Sequence, residues 1–249
     1  MSRRRIGFWY RLAAVIAKPP LVVLFKRDWR GMEHIPTEGG FITAVNHNSY
    51  LDPLSYAHFQ YNSGRVPRLL AKAALFKVPF VGSILRGSGQ IPVYRESTNA
   101  LDAFRAAVDA IEQGECVAFY PEHPHPRPGD VADGRQDRRR PGRADHQAPV
   151  IPVAQWGANL AMPPYAKENK VRLFPRKTLQ VLAGPPVDLS AYYDREPTPE
   201  VLKEATAVIM AAITGLLEEV RGETAPAQPY DHRNARAEQR RKAAGEGKK

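Results

Sequence analysis

Phe41-Ile42-Thr43-Ala44-Val45-Asn46-His47-Asn48-Ser49-Tyr50-Leu51-Asp52-Pro53 decides how the rest of this chain is read. The apolar run 41–45 has the length and composition of a buried strand. It ends in a turn that carries an imidazole and a carboxylate. A strand that delivers both groups into one turn suits general-base chemistry. An aspartate beside His47 can hold the ring tautomer and stabilise the imidazolium formed on proton uptake. The same letters also admit a structural reading, in which Asp52 caps a helix and Pro53 occupies its first turn.

Outward from this turn, the pattern alternates strands with helices. A helix is expected from about 53 to 61. Residues 69–76 read as a strand end or a short helix, and 78–85 as an apolar segment punctuated by Pro and Gly. A short strand is expected at 90–95. Leu101, Phe104, Val108 and Ile111 recur at helical spacing between 99 and 113, with Gly114 as the stop. Strands follow at 116–120, 150–155 and 178–183, and an amphipathic helix at about 199–220. This order implies a single α/β domain with a mixed, largely parallel central sheet flanked by helices, its functional loops at one sheet edge.

The chain has 249 residues, one cysteine and a net charge of +10. Cys116 lies in an apolar run, so it reads as a packed core thiol in a chain without an internal disulfide. The charge sits at the two ends. Residues 1–30 hold eight Lys/Arg against one acidic residue, residues 222–249 hold seven against four, and the span 31–221 is neutral. The first segment, 1–30, joins Arg3, Arg4 and Arg5 to Phe8, Trp9, Tyr10, Leu12, Val15 and Ile16. Its apolar runs are too short for a spanning helix, Lys18-Pro19-Pro20 is expected to break it, and no signal-peptide cleavage pattern follows. Two readings stand: an amphipathic helix in the headgroup plane of an anionic membrane, or one packed on its own domain. Residues 222–249 read as a disordered basic tail. Without an aromatic platform or a known module, no nucleic-acid partner is expected.

Four blocks occur in order: Asn46 to Asp52; Gly89-Gln90-Ile91-Pro92-Val93-Tyr94-Arg95; Phe119-Tyr120-Pro121-Glu122; and Val150-Ile151-Pro152-Val153. Together they resemble the glycerolipid acyltransferase family, in particular bacterial 1-acylglycerol-3-phosphate acyltransferases, over most of residues 40–190. The resemblance implies that His47 is the general base on the acceptor hydroxyl and Asp52 its orienting carboxylate. It implies that Arg95 binds the acceptor phosphate, as a planar bidentate donor can, with Lys72 as a second cation and Glu122 shaping the acceptor site. A neutral imidazole, titrating near pH 6.5, can take the proton at cellular pH. No metal or other cofactor is expected, only acyl-CoA or acyl carrier protein as co-substrate. The implied partners are a lysophosphatidic-acid-like acceptor and an anionic membrane surface, met as a peripheral or monotopic protein on the cytoplasmic face of the plasma membrane. Arg95, Lys72 and Glu122 also fit ordinary solvated charges. Ser88 lies in Arg86-Gly87-Ser88-Gly89, which is not a nucleophile elbow.

The third block departs from the family pattern. Pro-Glu normally continues into Gly-Thr, but here Glu122 is followed by His123-Pro124-His125-Pro126-Arg127-Pro128 and a stretch without apolar periodicity up to Gln147. A structureless insert of that length between core strands is unusual. Displacing the reading frame by one base converts 123–147, with allowed codons, into an alanine-rich continuation of ordinary family type that rejoins the sequence near Ala148. We therefore read 123–147 as frameshifted, and expect reduced turnover and stability from the chain as it stands. The rival reading of His123, His125 and Glu122 as a metal site lacks a further ligand cluster.

Overall fold

The computed structural model describes residues 6–93, 100–121, 147–163, 171–196 and 198–225. Seven strands form one sheet: β1 (Lys26–Arg30), β2 (Phe41–Val45), β3 (Pro67–Lys72), β4 (Ile91–Val93), β5 (Cys116–Phe119), β6 (Val150–Trp156) and β7 (Thr178–Ala183). Their spatial order is β1-β7-β6-β2-β5-β3-β4. Every neighbouring pair is parallel except β6 and β7. Helices α1 (Phe8–Leu24), α2 (Asp52–Asn62), α3 (Val81–Gly87), α4 (Ala100–Glu112), α5 (Ala158–Ala161), α6 (Ser190–Tyr193) and α7 (Pro199–Arg221) surround it. The mixed, largely parallel α/β sheet expected from the alternating pattern is present.

β2 is central, paired with β5 on one side and β6 on the other. Alternate residues of a strand face opposite sides, so a strand covered on both faces reads as unbroken apolar sequence. Phe41 and Val45 pack with Tyr56 and Phe59 of α2. Ala44 and Ile42 pack with Ile209 and Ile213 of α7. Farther along that second face, Ala103 of α4 meets Ile91 and Val117. Each such fully enclosed apolar side chain contributes about 1.5–3 kcal/mol of burial. Cys116 is buried in the first cluster, and burial pushes its thiol up to about 12, as a core thiol requires.

Two features of the N-terminal segment differ from expectation. The Lys18-Pro19-Pro20 break is absent: α1 runs unbroken through both prolines. Prolines deprive the carbonyls one turn earlier of their donors, and those belong to the exposed Val15 and Ile16. Residues 26–30, grouped by sequence with that segment, form edge strand β1, parallel to β7. Gly31 then turns the chain at φ 76°, where a Cβ would lie 1.9 Å from the Ala183 carbonyl oxygen. Residues 69–76 divide into the end of β3 and a 3₁₀ turn, Ala73–Lys77. The proposed frameshifted stretch 123–147, apart from Gln147, and the tail beyond 225 lie outside the described residues.

α1 packs on α2 and α3. Tyr10 stacks on Tyr61, and Lys18 Nζ lies 4.6 Å above the Tyr61 ring. Its outer side is nonetheless apolar, with Phe8, Val15, Ile16 and Val23 exposed. Among the described residues, no helix is long and apolar enough to cross a membrane.

Candidate active site

The turn after β2 folds around one carboxylate oxygen. Asp52 Oδ2 accepts from the backbone N–H groups of Asn48 and Ser49, both at 2.6 Å, and lies 3.2 Å from His47 Nδ1. An ionised carboxylate oxygen can only accept, so we assign the imidazole proton to Nδ1. That tautomer leaves Nε2 as the acceptor atom of the ring. Asp52 is fully enclosed, whereas the His47 side chain keeps 17% of its surface exposed. The pair is therefore oriented from the interior and approachable from outside.

This geometry separates the two readings of Asp52. A capping carboxylate would accept from amides inside its helix, but those of Leu54 and Ser55 bond to the Leu51 carbonyl. Asp52 instead reaches back into the preceding turn. Its position on the first turn of α2, ahead of Pro53, still places a negative charge where the helix dipole favours one.

A second set of contacts fixes where the turn begins. Asn46 and Gln155 grip each other's backbone. Asn46 Nδ2 donates to the Gln155 carbonyl (2.9 Å), the Gln155 N–H donates to Asn46 Oδ1 (2.6 Å), and Gln155 Nε2 donates to the Asn46 carbonyl (2.8 Å). Both residues are buried, so these bonds form where unmade ones would be costly. Ser49 Oγ ties the far side of the turn to the Met162 carbonyl at 2.7 Å. Tyr120, directly after β5, lays its ring 4.6 Å from the His47 imidazole at a tilt of 32°. Burial, with the Asp52 charge adding to it, holds the Tyr120 phenol well above its usual range, so it stays protonated.

Gln155 and Tyr120 are absent from the sequence-derived site. The signal for Gln155 was a lone amide inside the apolar run Val150–Trp156, because a buried polar side chain demands a partner. Tyr120 lies inside the third block, two residues before Glu122.

Of the other expected site residues, Lys72 is the exposed last residue of β3, in register with Val93 of β4. Because β3, β5 and β2 run parallel, Lys72, Tyr120 and His47 all emerge at the same sheet edge, the edge at which open α/β sheets carry their sites. Arg95 and Glu122 lie outside the described residues. Among the described residues, no group of three or more His, Cys, Asp or Glu side chains is gathered to hold a metal ion.

The family model described as Acyltransferase matches residues 26–156, which include β1 to β6 and the His47 turn. A 1-acyl-sn-glycerol-3-phosphate acyltransferase of Borreliella burgdorferi is 33% identical over 102 residues, 41% of this chain and 40% of its own. One of Bacillus subtilis is 24% identical over 188 residues, 74% of this chain and 84% of its own. An uncharacterised protein of Mycobacterium tuberculosis is 27% identical over 201 residues, 72% of this chain and 53% of its own. The chain thus spans about half or less of the Borreliella and mycobacterial relatives. The crystal structure of the 1-acyl-sn-glycerophosphate (LPA) acyltransferase PlsC from Thermotoga maritima superposes with a TM-score of 0.58. It covers 87% of this chain and 81% of that one at 19% identity, which establishes a shared fold.

Proposed function

The chain belongs to the acyltransferase family, and from that premise we propose that it moves a fatty acyl group from a thioester to the free hydroxyl of 1-acylglycerol-3-phosphate, forming phosphatidic acid. The observation that carries this reading is the contact of His47 Nδ1 with the enclosed Asp52 Oδ2. His47 Nε2 takes the hydroxyl proton as the oxygen attacks the thioester carbonyl. Asp52 holds the ring and stabilises the imidazolium. The tetrahedral intermediate then expels the thiolate, which receives the proton from His47, so ester and thiol are the products. Acyl-CoA or acyl carrier protein supplies the thioester. Arg95 and Lys72 receive the acceptor phosphate, and Glu122 shapes its surroundings. The names carried by the Borreliella and Bacillus relatives support the choice of acceptor. The exposed apolar residues of α1 support action on a membrane-borne lipid.

The direct test offers a labelled acyl thioester with lysophosphatidic acid, other lysolipids, a glycolipid and monoacylglycerol. Labelled phosphatidic acid should form, with much less transfer to the phosphate-free acceptor. Equal transfer to monoacylglycerol would refute the phosphate-binding assignment.

One observation favours a second reading, a membrane-associated homologue without activity: the altered sequence after Glu122. Replacing 123–147 by the displaced-frame sequence should then raise turnover from a low or absent level. Substantial turnover by the chain as it stands, unchanged by the exchange, would remove this reading.

A further inference from the structure

Beyond the active site, the segment that follows β3 turns apolar side chains toward solvent by means of a strained backbone. Phe80 has φ 64° and ψ −56°, and the Val81 N–H donates to the Pro79 carbonyl across it at 2.7 Å. This is a γ-turn of the positive-φ kind, which is rare and strained. Among the described non-glycine residues, Phe80 alone has a positive φ. Glycine would take this conformation without penalty. A phenylalanine held there presents its ring at the tip of the turn, 62% exposed. Leu75, Val78 and Val81 are exposed around it.

Charge indicates what covers this surface. From Pro53 to Arg95 the sequence contains no Asp or Glu, yet holds Arg65, Arg68, Lys72, Lys77, Arg86 and Arg95. Arg65 is spent on the carbonyls of Pro36, Gly39 and Gly114, and Arg68 on Glu115. Lys72, Lys77 and Arg86 are exposed on the segment itself or directly before it, Arg86 while also donating to the Phe76 carbonyl and to Ser83 Oγ. α1 continues the surface, because Trp9 lies so close on Gly87 of α3 that a Cβ there would be 2.2 Å from the indole. Between residues 6 and 25, α1 and its flanks also contain no acidic residue. Exposed apolar side chains on a turn bordered in sequence by cations, in a stretch without acidic residues, match an anionic bilayer: the apolar groups enter the headgroup boundary and the cations meet the phosphates.

We infer that the turn at Phe80, flanked by Lys72, Lys77 and Arg86, is a membrane-inserting contact that works beside α1 and docks the sheet edge carrying His47 onto an anionic lipid surface. The segment leaves β3 at the edge where His47 and Tyr120 emerge, so the docked protein meets a lipid acceptor without extracting it fully. That last use rests on the acyltransferase reading, but the contact itself does not.

The test is co-sedimentation of the whole chain with vesicles of phosphatidylcholine, alone or mixed with phosphatidylglycerol, with no substrate present. Phe80→Gly keeps the turn and removes the ring. It should lower partitioning onto the mixed vesicles about tenfold, the expected effect of withdrawing one large apolar side chain. Lys77→Glu should lower it severalfold, and the wild type should bind phosphatidylcholine alone far more weakly. Circular dichroism of both variants should match the wild type. Unchanged partitioning of Phe80→Gly would overturn the inference. So would self-association without vesicles that Phe80→Gly abolishes, since the surface would then cover a second copy. Because no turnover is read, failure of the acyltransferase reading leaves this result standing, and the converse also holds.

Discussion

The turn at 46–52 and the segment at 73–87 leave the same sheet edge, one after β2 and the other after β3, and distribute their polar and apolar groups in opposite ways. In the first, a buried carboxylate gathers two amides and an imidazole, and a buried amide pair clamps the entry to the turn. In the second, Phe80, Val78 and Leu75 are exposed, and Phe80 stands at a positive φ. Chemistry on an imidazole needs its geometry held to a fraction of an ångström, which buried hydrogen bonds supply. Contact with a fluid surface needs exposed area and charge rather than fixed geometry. On the functions proposed above, the two regions would meet those demands a few strands apart.

Five substitutions would break or sharpen that contrast, the largest expected at the turn. Asp52→Ala leaves the buried Ser49 amide, the half-buried Asn48 amide and the His47 Nδ1–H without their acceptor. Turnover should fall by about 10³-fold or more, with a loss of roughly 3 kcal/mol in urea unfolding. A variant retaining more than a tenth of wild-type turnover would show that the carboxylate is structural. Asn46→Ala unpairs the Gln155 N–H and carbonyl in the interior and should cost about 2–4 kcal/mol. Gln155→Ala removes only the bond to the Asn46 carbonyl and should cost about half as much. Equal costs would mean that the clamp does not act through these bonds.

The fourth uses the other histidine of this stretch, His58 of α2. It is buried edge-on against Trp29, with neither ring nitrogen hydrogen-bonded among the described residues. Burial, with Lys18 and Arg27 nearby, lowers its pKa from 6.5 to about 4. The unfolded chain therefore binds this proton more readily than the folded one between those values. Its contribution to stability is complete above pH 6.5 and declines as pH falls toward 4, by about 2 kcal/mol at pH 5. His58→Phe should flatten that part of the stability–pH curve, and an unchanged slope would show that other groups produce it. The smallest effect belongs to Phe80→Gly, which relieves the positive φ and should leave stability level or raise it by about 1 kcal/mol. A loss above about 1 kcal/mol would show that the ring packs against the fold instead of facing outward.

How far these regions could be read from sequence follows from the range of the contacts that define them. The buried strand Phe41–Val45 and the helix at Asp52 announce themselves locally, and so do Cys116–Phe119, Thr178–Ala183 and Pro199–Arg221. His47 and Asp52 are five residues apart, so a turn alone can join them. Asn46 and Gln155 are 109 residues apart, and only the pairing of β2 with β6 brings them together. β1 escaped notice because Lys26-Arg27-Asp28-Trp29-Arg30 is mostly charged. An edge strand paired through its backbone to β7 needs little apolar sequence. The helix through Pro19 and Pro20 ran against a sound local rule, which yields where the freed carbonyls belong to exposed positions. The outward Phe80 was unreadable because nothing in Val78-Pro79-Phe80-Val81 requires a positive φ.

The central claim is that the enclosed Asp52 makes His47 a base for acyl transfer. It is tested most directly by measuring labelled phosphatidic acid formed from lysophosphatidic acid and an acyl thioester by the wild-type chain and by His47→Ala, matched by circular dichroism. We predict His47-dependent product, with turnover in His47→Ala lower by about 10³-fold. Equal product from the two proteins would contradict the account.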